Sequence, residues 1–405
     1  MKQEKKSSAG IKGENVRSDC YVEFEVGVNG GIKLELQSKV ESMYGKSIRK
    51  LILDMCKFFN IQNAKINVED NGALPFTLAA RFETAVIRAL LRTKKEYLLP
   101  FSKKSSYKTT KDRLRRSRLY LPGNEPKYFI NAGLHKPDGI ILDLEDSVSH
   151  TQKDAAQLLV RNALRSVDFY GSERMVRINQ LPKGLDDLKF IVPHNVHIIL
   201  IPKCESGEQV KTVEKEVKKI KIQHKVKSDI YFMPIIESAK GVMNAYEIAS
   251  ASKNNCGLAI GLEDYTADLG TQRTDEGKES FFARSIVVNA ARAAGIQPID
   301  TVYSDVTNME GLKESVIEAK SLGFEGKGCI HPRQVKVVHE AFAPTEAEIE
   351  KAKRIVLAFE DAEKKGLGVV SIGSKMIDPP IVKRAQKIIE LAILNNLLSQ
   401  DWRKQ

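Results

Sequence analysis

The sequence predicts an α/β protein: a (β/α)8 barrel, the TIM-barrel architecture, preceded by a small α+β domain and followed by C-terminal helices. From residue 118 onward, eight short β-rich apolar runs begin 21 to 41 residues apart, each followed by a helical stretch. The first 90 residues differ, because alternating runs there are combined with two amphipathic segments. Eight β–α units in succession favour a closed barrel over an open doubly wound sheet.

The N-terminal domain, residues 1–91, is predicted as a β-β-α-β-β-α unit. Strands are predicted from alternating apolar and polar side chains, and helices from apolar residues at helical spacing. In order, the elements are strands at Cys20–Val28 and Ile32–Leu36 joined by the hairpin signal Asn29-Gly30-Gly31, a helix at Tyr44–Phe59, strands at Ala64–Val68 and Leu74–Leu78 around Asp70-Asn71-Gly72, and a helix to about Leu91.

A basic segment, residues 92–117, separates the predicted domains. The chain has a formal net charge of +12, and the stretch from Arg92 to Arg118 holds eleven Lys or Arg residues against two acids. Most of the surplus is therefore local, which argues against a broad nucleic-acid-binding face. We interpret the segment as a solvated linker. An arm that contacts RNA or a carrier domain is the alternative.

The barrel is predicted over residues 118–342. Helical stretches such as Gln209–Ile220 keep apolar residues three and four positions apart. Two further helices, Thr345–Lys364 and Pro379–Leu398, are predicted within a C-terminal segment over residues 343–405. The eight predicted strands are Arg118–Leu121, Gly139–Leu144, Met175–Ile178, Val196–Ile201, Ile230–Ile236, Gly257–Ile260, Pro298–Tyr303 and Gly326–Ile330.

Composition excludes several classes of protein. Hydrophobic residues make up 42% and charged residues 29% of the chain, which is typical of a globular protein rather than a disordered or fibrous one. No run reaches 18 apolar residues, so no membrane-spanning helix is predicted. The five cysteines are scattered without a C-x-x-C pair. They favour free thiols in a reducing cytoplasm over disulfides or a zinc site.

The active site of such a barrel forms at the carboxyl ends of its strands. Two of the residues there, Glu145 and Asp146, could simply cap the next helix. His331, which precedes Pro332, is interpreted as a turn residue. The polar side chains at or near the predicted strand ends are Tyr120, Asp143, Glu145, Asp146, Arg177, Asn179, Lys203, Glu237, Glu263, Asp264, Asp300, Ser304 and His331.

Glu237 and Asp264 follow neighbouring predicted strands, so their carboxylates could share one magnesium ion that is completed by water and substrate oxygens. Each could alone be a structural ion pair, but their joint placement favours a site. Arg177 could bind a substrate carboxylate in a two-pronged fork. A metal ion and an arginine together suit a 2-oxo or 2-hydroxy acid. Lys203 could form a Schiff base, although the metal pair favours a charge-partner role.

Eight sequence blocks resemble the citrate lyase β-subunit family, also called the HpcH/HpaI aldolase/citrate lyase family. The ordered matches extend from about residue 116 to about residue 395. This resemblance implies a TIM barrel with a C-terminal helical lid. The blocks are RSRLYLPGNEPKYFINA (116–132), IILDLEDSV (140–148), VRIN (176–179), LIPKCES (200–206), PIIESAKGV (234–242), GLEDYTADLG (261–270), FFARSIVVNAARAAGIQPIDTVYSDV (281–306) and GFEGKGCIHPRQV (323–335).

The N-terminal domain resembles the citrate lyase γ-subunit, an acyl carrier protein. SAG at 8–10, YGKSIRKLILD at 44–54 and NVEDNGALPFTLAARFETAVIRA at 67–89 carry this resemblance. It implies a CoA-derived (phosphoribosyl-dephospho-CoA) arm on a serine shortly after SAG, for which Ser18 is the candidate. The segment before Ser18 is longer than in the family, so a degenerate carrier that only helps assembly is the alternative. Fusion would give the lyase a high effective concentration of carrier-bound substrate.

The resemblance also implies roles for individual residues. Glu237 and Asp264 would bind Mg2+, and Arg177 would bind the oxo acid. In the run GSKMIDPPIVKRA (373–385), Asp378 would reach the site of a neighbouring subunit as a catalytic acid, and it could also cap the helix that begins at Pro379. The positions expected to contact the CoA-like arm are Tyr120, Lys127, Ile299 and Asp300.

The implied reaction is Mg2+-dependent cleavage of a citryl thioester, carried by CoA or a carrier protein, into oxaloacetate and an acetyl thioester. A citramalyl-CoA or malyl-CoA lyase with a relic carrier domain is the alternative within the same class. A non-catalytic assembly subunit and an RNA-binding protein are alternatives from other classes. The expected partners are a citrate lyase α-subunit with acyl transferase activity and further copies of this chain, as a trimer or multiple, without nucleic acid or membrane.

Overall fold

The computed structural model describes residues 6–90, 93, 95–364, 370–372 and 375–404. The predicted helix end at Leu91 and the first two residues of the 373–385 run lie outside these ranges. Within them, the chain forms a small four-stranded sheet with two helices, a closed eight-stranded parallel barrel, and a C-terminal helix pair. The predicted fold class is therefore confirmed.

The N-terminal sheet has the strand order β1-β2-β4-β3. Strand β4 pairs antiparallel with β2 and parallel with β3, so β3, α1 and β4 form a parallel crossover unit. Alternate residues of β4 (Ala64, Ile66 and Val68) are buried in the core, as expected for a central strand. The elements are β1 (Lys6–Gly10), β2 (Cys20–Val26), β3 (Ile32–Ser38), α1 (Glu41–Phe58), β4 (Ala64–Asp70) and α2 (Pro75–Leu90).

Two sequence predictions in this domain are wrong. The segment Asn29-Gly30-Gly31 does not close a hairpin, because β4 inserts between β2 and β3; alternation within a strand does not identify its partner. The predicted strand Leu74–Leu78 is instead the start of α2. Its first residue is Pro75, and proline is favoured at the first helical position because its missing N–H has no partner there. Strand β1 had no prediction at all.

The barrel closes through eight parallel pairings in chain order, with β12 paired to β5. Each predicted apolar run coincides with one strand. The interior of the barrel is filled mainly by aliphatic and methionine side chains, including Met175 and Met233. The strands are β5 (Ser117–Pro122), β6 (Gly139–Asp143), β7 (Glu173–Arg177), β8 (Ile198–Ile201), β9 (Tyr231–Ile236), β10 (Gly257–Ile260), β11 (Gln297–Val302) and β12 (Gly326–Cys329).

Helices connect the strands and cover the outside of the barrel. These helices are α3 (Pro126–Phe129), α4 (Lys153–Ser166), α5 (Gly184–Ile191), α6 (Gly207–Gln223), α7 (Ala239–Met243), α8 (Ala245–Ser250), α9 (Leu262–Leu269), α10 (Lys278–Ala293), α11 (Met309–Leu322) and α12 (Pro332–Phe342). None of the helices among the described residues is both long enough and apolar enough to cross a membrane.

The C-terminal segment forms its own small core. This core lies between two helices that pack along each other, with Ile377 and Trp402 buried between them. The far end of the second helix contacts the barrel, where the Asn395 amide meets the Arg116 guanidinium just before β5. The elements are α13 (Glu346–Lys364), β13 (Val370–Ile372), β14 (Lys375–Ile377) and α14 (Pro379–Leu394).

The basic segment does not behave as a solvated linker where the structure describes it. The Arg115 guanidinium is buried and forms a two-pronged ion pair with Glu173 of β7, at 2.7 and 2.9 Å. The Tyr107 hydroxyl donates to the Ser172 carbonyl at 2.6 Å. Part of the local positive charge therefore neutralises barrel carboxylates, which the charge count alone did not reveal.

The N-terminal domain is docked on the barrel through α2 and α4. Phe76 and Ala80 of α2 belong to the hydrophobic core that surrounds the barrel strands. Arg161 of α4 pairs with Glu83 of α2 at 3.0 and 2.6 Å, and neither side chain is accessible to solvent. Because both charges are desolvated, this contact fixes how the two units sit against each other.

We predict that Glu83→Ala lowers the free energy of unfolding by about 3–5 kcal/mol, because it leaves the Arg161 guanidinium buried without its carboxylate. Urea unfolding measures this change. The matched control is Asp54→Ala, which removes the exposed Lys50–Asp54 pair and should shift stability by less than about 1 kcal/mol. Equal effects of the two substitutions would contradict the structural role of the buried pair.

Candidate active site

A cavity of about 510 Å3 opens at the carboxyl ends of the barrel strands. Eight of the strand-end residues singled out from the sequence line it: Tyr120, Asp143, Asp146, Arg177, Glu237, Glu263, Asp264 and Asp300. A larger cavity of about 700 Å3 lies beside it, between β11 and the helices α10 and α11. We place the site in the smaller cavity because cationic and anionic side chains from several strands converge there.

Strand geometry brings these groups together. Arg177 is the last residue of β7, Glu237 directly follows β9, and Asp264 lies in the first turn of α9, just after β10. Asp143 ends β6, beside Arg177. Because all strands of the barrel run in the same direction, residues at their carboxyl ends share one rim.

Arg177 is the centre of an ion-pair cluster. Its Nε and Nη2 atoms donate to the two carboxylate oxygens of Asp143 at 2.7 and 2.8 Å. Its Nη1 lies 2.8 Å from Glu145 and 3.5 Å from Asp146. Burial lowers the pKa of Arg177, but the hydrogen bond and charge of Asp143 outweigh it and raise the pKa, so the guanidinium stays charged.

Lys203 is the second cation of the cluster. Its Nζ lies 3.2 Å from Glu145 and 3.5 Å from both Asp146 and Asp264. Its backbone N–H donates to Glu237 at 2.7 Å. Burial opposes protonation, but the charges of Glu145 and Asp146 raise the pKa of this amine. A Schiff base requires the neutral amine, so the surroundings favour the charge-partner role for Lys203.

Negative charge remains under-compensated in the interior of the cluster. Burial, and secondarily the charge of Glu145, raises the pKa of Glu237 to about 8. Burial also raises the pKa of Glu145 to about 7. One Glu145 oxygen is buried without a well-directed hydrogen bond, even though Arg177 lies close to it. The site therefore has carboxylate oxygens that a further cation would stabilise.

The donor set fits magnesium rather than a transition metal. Glu237 and Asp264 present carboxylate oxygens to one cavity. Among the described residues, no group of three or more His, Cys, Asp or Glu side chains forms a complete metal cage. A small hard cation that keeps several water ligands needs only one or two protein carboxylates.

The residues predicted to contact a CoA-like arm lie in different environments. Tyr120 is half-buried, with the Arg177 guanidinium carbon 5.5 Å from its ring centroid. Ile299 is enclosed in the barrel interior. The Asp300 carboxylate is paired with Lys327 at 2.7 Å and with Arg284 on the outer side of β11. Asp300 therefore lines the cavity with atoms other than its carboxylate oxygens.

The remaining predicted positions lie outside the lining of this cavity. Lys127 is exposed on α3 and pairs with Glu125 at 3.0 Å. Asp378 caps α14 by accepting from the Ile381 N–H at 3.2 Å. His331 caps α12, consistent with its interpretation as a turn residue.

The residue that follows Ser18, Asp19, is linked to the loop after β5. Arg81 of α2 forms a buried two-pronged ion pair with Asp19 at 3.0 and 2.7 Å. The same guanidinium donates at 2.7 Å to the Asn124 carbonyl, two residues beyond Pro122 in the cavity wall. These contacts connect Asp19, the residue after the half-buried Ser18, to the loop that follows β5.

Comparisons with known proteins agree with this geometry. The model of the HpcH/HpaI aldolase/citrate lyase family matches residues 116–332. Citrate lyase subunit beta from Leuconostoc mesenteroides is 40% identical over 293 residues, which cover 72% of this chain and 97% of that protein. The chain belongs to the HpcH/HpaI aldolase/citrate lyase family. Mitochondrial citramalyl-CoA lyase from Mus musculus is 32% identical over 291 residues, covering 69% of this chain and 86% of that protein.

The family resemblance inferred from the sequence is confirmed for the barrel, and the N-terminal domain also matches an acyl carrier family. Residues 7–89 match the model of the malonate decarboxylase delta subunit, an acyl carrier protein. A crystal structure of CitE from Mycobacterium tuberculosis with magnesium, acetoacetate and coenzyme A matches with a TM-score of 0.58 and 28% identity. The match covers 70% of this chain and 99% of that one.

We predict that Glu237→Gln stabilises the metal-free protein at pH 8. A carboxyl whose pKa is raised from its ordinary value of 4.5 to about 8 contributes stability that is fully present below about pH 4.5 and lost as the pH rises through 8. The free energy of unfolding should therefore fall from pH 5 to pH 8 in the wild type and fall less in Glu237→Gln. Urea unfolding with a chelator present measures this.

The exposed Glu208 of α6 offers the matched control. Glu208→Gln should leave the pH dependence of stability unchanged. Parallel pH profiles for the wild type and Glu237→Gln would show that Glu237 is not held in an unfavourable buried environment.

Proposed function

We propose that this chain is a magnesium-dependent lyase that cleaves a citryl thioester into oxaloacetate and an acetyl thioester. The coarser statement, a lyase acting on acyl thioesters, follows from its family relatives, which are named citrate lyase subunit beta and citramalyl-CoA lyase. The observation that supports the proposal is one cavity lined by Glu237, Asp264 and Arg177, with the Lys203 amine 3.5 Å from the Asp264 carboxylate.

Glu237 and Asp264 are the proposed metal-binding residues. When bound there, magnesium would lower the pKa of the substrate hydroxyl and stabilise the charge on its oxygen. Asp143 occupies the Nε and Nη2 side of the Arg177 guanidinium. Nη1 faces Glu145 at 2.8 Å without a well-directed hydrogen bond, so a substrate carboxylate that binds the Nη1 and Nη2 edge would take the place of Glu145 there. Fixed cations of this kind stabilise developing negative charge without reorganising.

Asp378 is the proposed acid that protonates the enolate carbon after the C–C bond breaks. It does not line the described cavity of its own chain. In the same helix, Lys387 lines a cavity at the opposite, amino-terminal ends of β10 and β11, together with Gln297. We therefore propose that Asp378 serves a neighbouring subunit in a homo-oligomer, such as a trimer.

The N-terminal domain is proposed to carry the acyl group on a CoA-derived arm attached to Ser18. The docking contacts through Arg81 support this proposal, because they link Asp19, the residue after Ser18, to the loop that follows β5. Tyr120 belongs to β5 itself, and Lys127 belongs to α3, which follows this loop. An α-subunit that transfers the acyl group would be a separate protein.

The proposed location is the cytoplasm. The five cysteines are free and buried, which is in keeping with a reducing compartment.

We predict that the purified protein releases oxaloacetate from (3S)-citryl-CoA only with magnesium. Glu237→Ala and Asp264→Ala should lower the rate at least about a hundredfold, because each removes a ligand of the ion that stabilises the oxygen charge. A coupled assay for oxaloacetate measures the rate, and Glu208→Ala is the control that should retain full activity. Pyruvate release from citramalyl-CoA without any action on citryl thioesters would instead favour a citramalyl-CoA lyase.

We predict that protein from its native host carries an added mass on the tryptic peptide of residues 18–33, which begins at Ser18. Ser18→Ala should remove this mass while leaving cleavage of free citryl-CoA unchanged. Ser47→Ala, in an exposed serine of α1, should change neither result. Peptide mass spectrometry decides the matter, and an unmodified Ser18 in active protein would contradict the carrier role.

A further inference from the structure

One buried cation in the cavity has no acidic partner. Arg118 of β5 points into the barrel interior and is only 1% exposed. Its Nη1 lies 3.1 Å from the Met233 sulfur, and its Nη2 lies 3.4 Å from the Asp300 carbonyl oxygen. Its Nε has no hydrogen-bond partner. Neither a thioether nor a distant carbonyl compensates a full positive charge.

Three other deeply buried arginines are compensated by carboxylates, whereas a fourth, Arg174, contacts two backbone carbonyls and His197 and leaves its Nη1 without a partner. Arg81 pairs with Asp19, Arg115 with Glu173 and Arg161 with Glu83, each through two hydrogen bonds to one carboxylate. No carboxylate among the described residues pairs with Arg118 in this way. The nearest candidate, Asp300, turns its carboxylate to the outer side of the strand, toward Lys327 and Arg284.

Arg118 forms part of the floor of the candidate active site. It lines the same cavity as Arg177, Glu237 and Asp264. Gly328 of β12 lies directly beside it in the strand register. A Cβ at position 328 would stand 2.6 Å from a Val302 methyl carbon and 3.4 Å from the Tyr120 ring, so glycine fits this position of the cavity lining where a larger residue would clash.

We propose that Arg118 binds the second carboxylate of a citryl group and thereby sets the preference for citryl over citramalyl or malyl thioesters. This inference rests on the proposed lyase function. A citryl group carries one carboxylate on its hydroxyl-bearing carbon and another on a CH2 group. A citramalyl group has a methyl group where the citryl group has that CH2-carboxylate, and a malyl group has hydrogen.

The other cations of the cavity are already assigned to different charges. Arg177 is paired with Asp143 and lies close to Glu145 and Asp146 at the rim, beside the proposed metal-binding residues. Lys203 is surrounded by Glu145, Asp146 and Asp264. Arg118 alone among these three lacks an acidic partner, and a carboxylate that reaches the floor would supply one. A substrate without that carboxylate leaves the guanidinium uncompensated, which is a strong basis for rejection.

A structural role for Arg118 predicts the opposite effect on stability. If the contacts with Met233 and Asp300 held the barrel together, replacing Arg118 would weaken the fold. If Arg118 is an anion-binding residue, Arg118→Met removes a buried unpaired charge and fills the interior with an apolar chain of similar shape. The ligand-free variant should then be at least as stable as the wild type.

The test compares wild type, Arg118→Met and Arg118→Lys in three measurements: steady-state cleavage of citryl-CoA and citramalyl-CoA, calorimetric binding of oxaloacetate and pyruvate with magnesium, and urea unfolding. We expect Arg118→Met to lower the ratio of kcat/KM for citryl-CoA over citramalyl-CoA about 10- to 100-fold, as for loss of a charged hydrogen bond. In Arg118→Met, the affinity for oxaloacetate should fall by a similar factor, and the affinity for pyruvate should stay unchanged. Arg118→Lys should restore part of the preference for citryl-CoA and part of the affinity for oxaloacetate.

The inference would be overturned by an unchanged oxaloacetate-to-pyruvate affinity ratio in Arg118→Met, or by a marked loss of stability in that variant. A wild type that cleaves citramalyl-CoA and binds pyruvate more tightly than oxaloacetate would also overturn it, while leaving the lyase reaction intact. If the wild type cleaves neither ester, the proposed function fails. Preferential oxaloacetate binding that disappears in Arg118→Met would still support the carboxylate site in that case.

Discussion

The two-pronged ion pair between Arg177 and Asp143 joins the ends of adjacent strands and organises the charges around it. Asp143 holds the guanidinium at the rim, and that guanidinium in turn lies within reach of Glu145 and Asp146. Lys203 closes the cluster from the next strand. Because charge in a barrel is costly unless paired, this arrangement determines which groups are satisfied by protein and which remain for a ligand.

The same physical rule governs the attachment of the N-terminal domain. Its α2 contributes both apolar contacts and the Glu83 carboxylate to the barrel surface, and Arg161 and Arg81 occupy desolvated positions between the units. A contact of this kind differs from a flexible tether, in which a carrier domain samples many positions. Here Asp19, next to Ser18, is linked through Arg81 to the loop after β5.

Periodicity predicted the barrel well, because each strand is buried on both faces and therefore appears as a short continuous apolar run. Periodicity did not predict which strands of the N-terminal sheet pair with each other. The alternation in Ile32–Leu36 is real, yet the strand pairs with β4 and not with β2. At the site, strand-end position correctly predicted that Glu237 and Asp264 lie at one cavity. The role of Arg118 was hidden, since its lack of a partner depends on which way Asp300 turns, and that is a tertiary feature.

The ligand-free site contains two opposite electrostatic defects. Near the rim, burial raises the pKa of the Glu237 and Glu145 carboxyls because their charged forms are poorly solvated, and at the floor Arg118 carries positive charge without an acid. No carboxylate among the described residues forms an ion pair with Arg118. A magnesium ion at the rim and a dicarboxylic acid that extends to the floor would correct both defects at once. Binding energy would then come from compensating charges that the fold itself holds apart, and ligand binding would stabilise the native state accordingly.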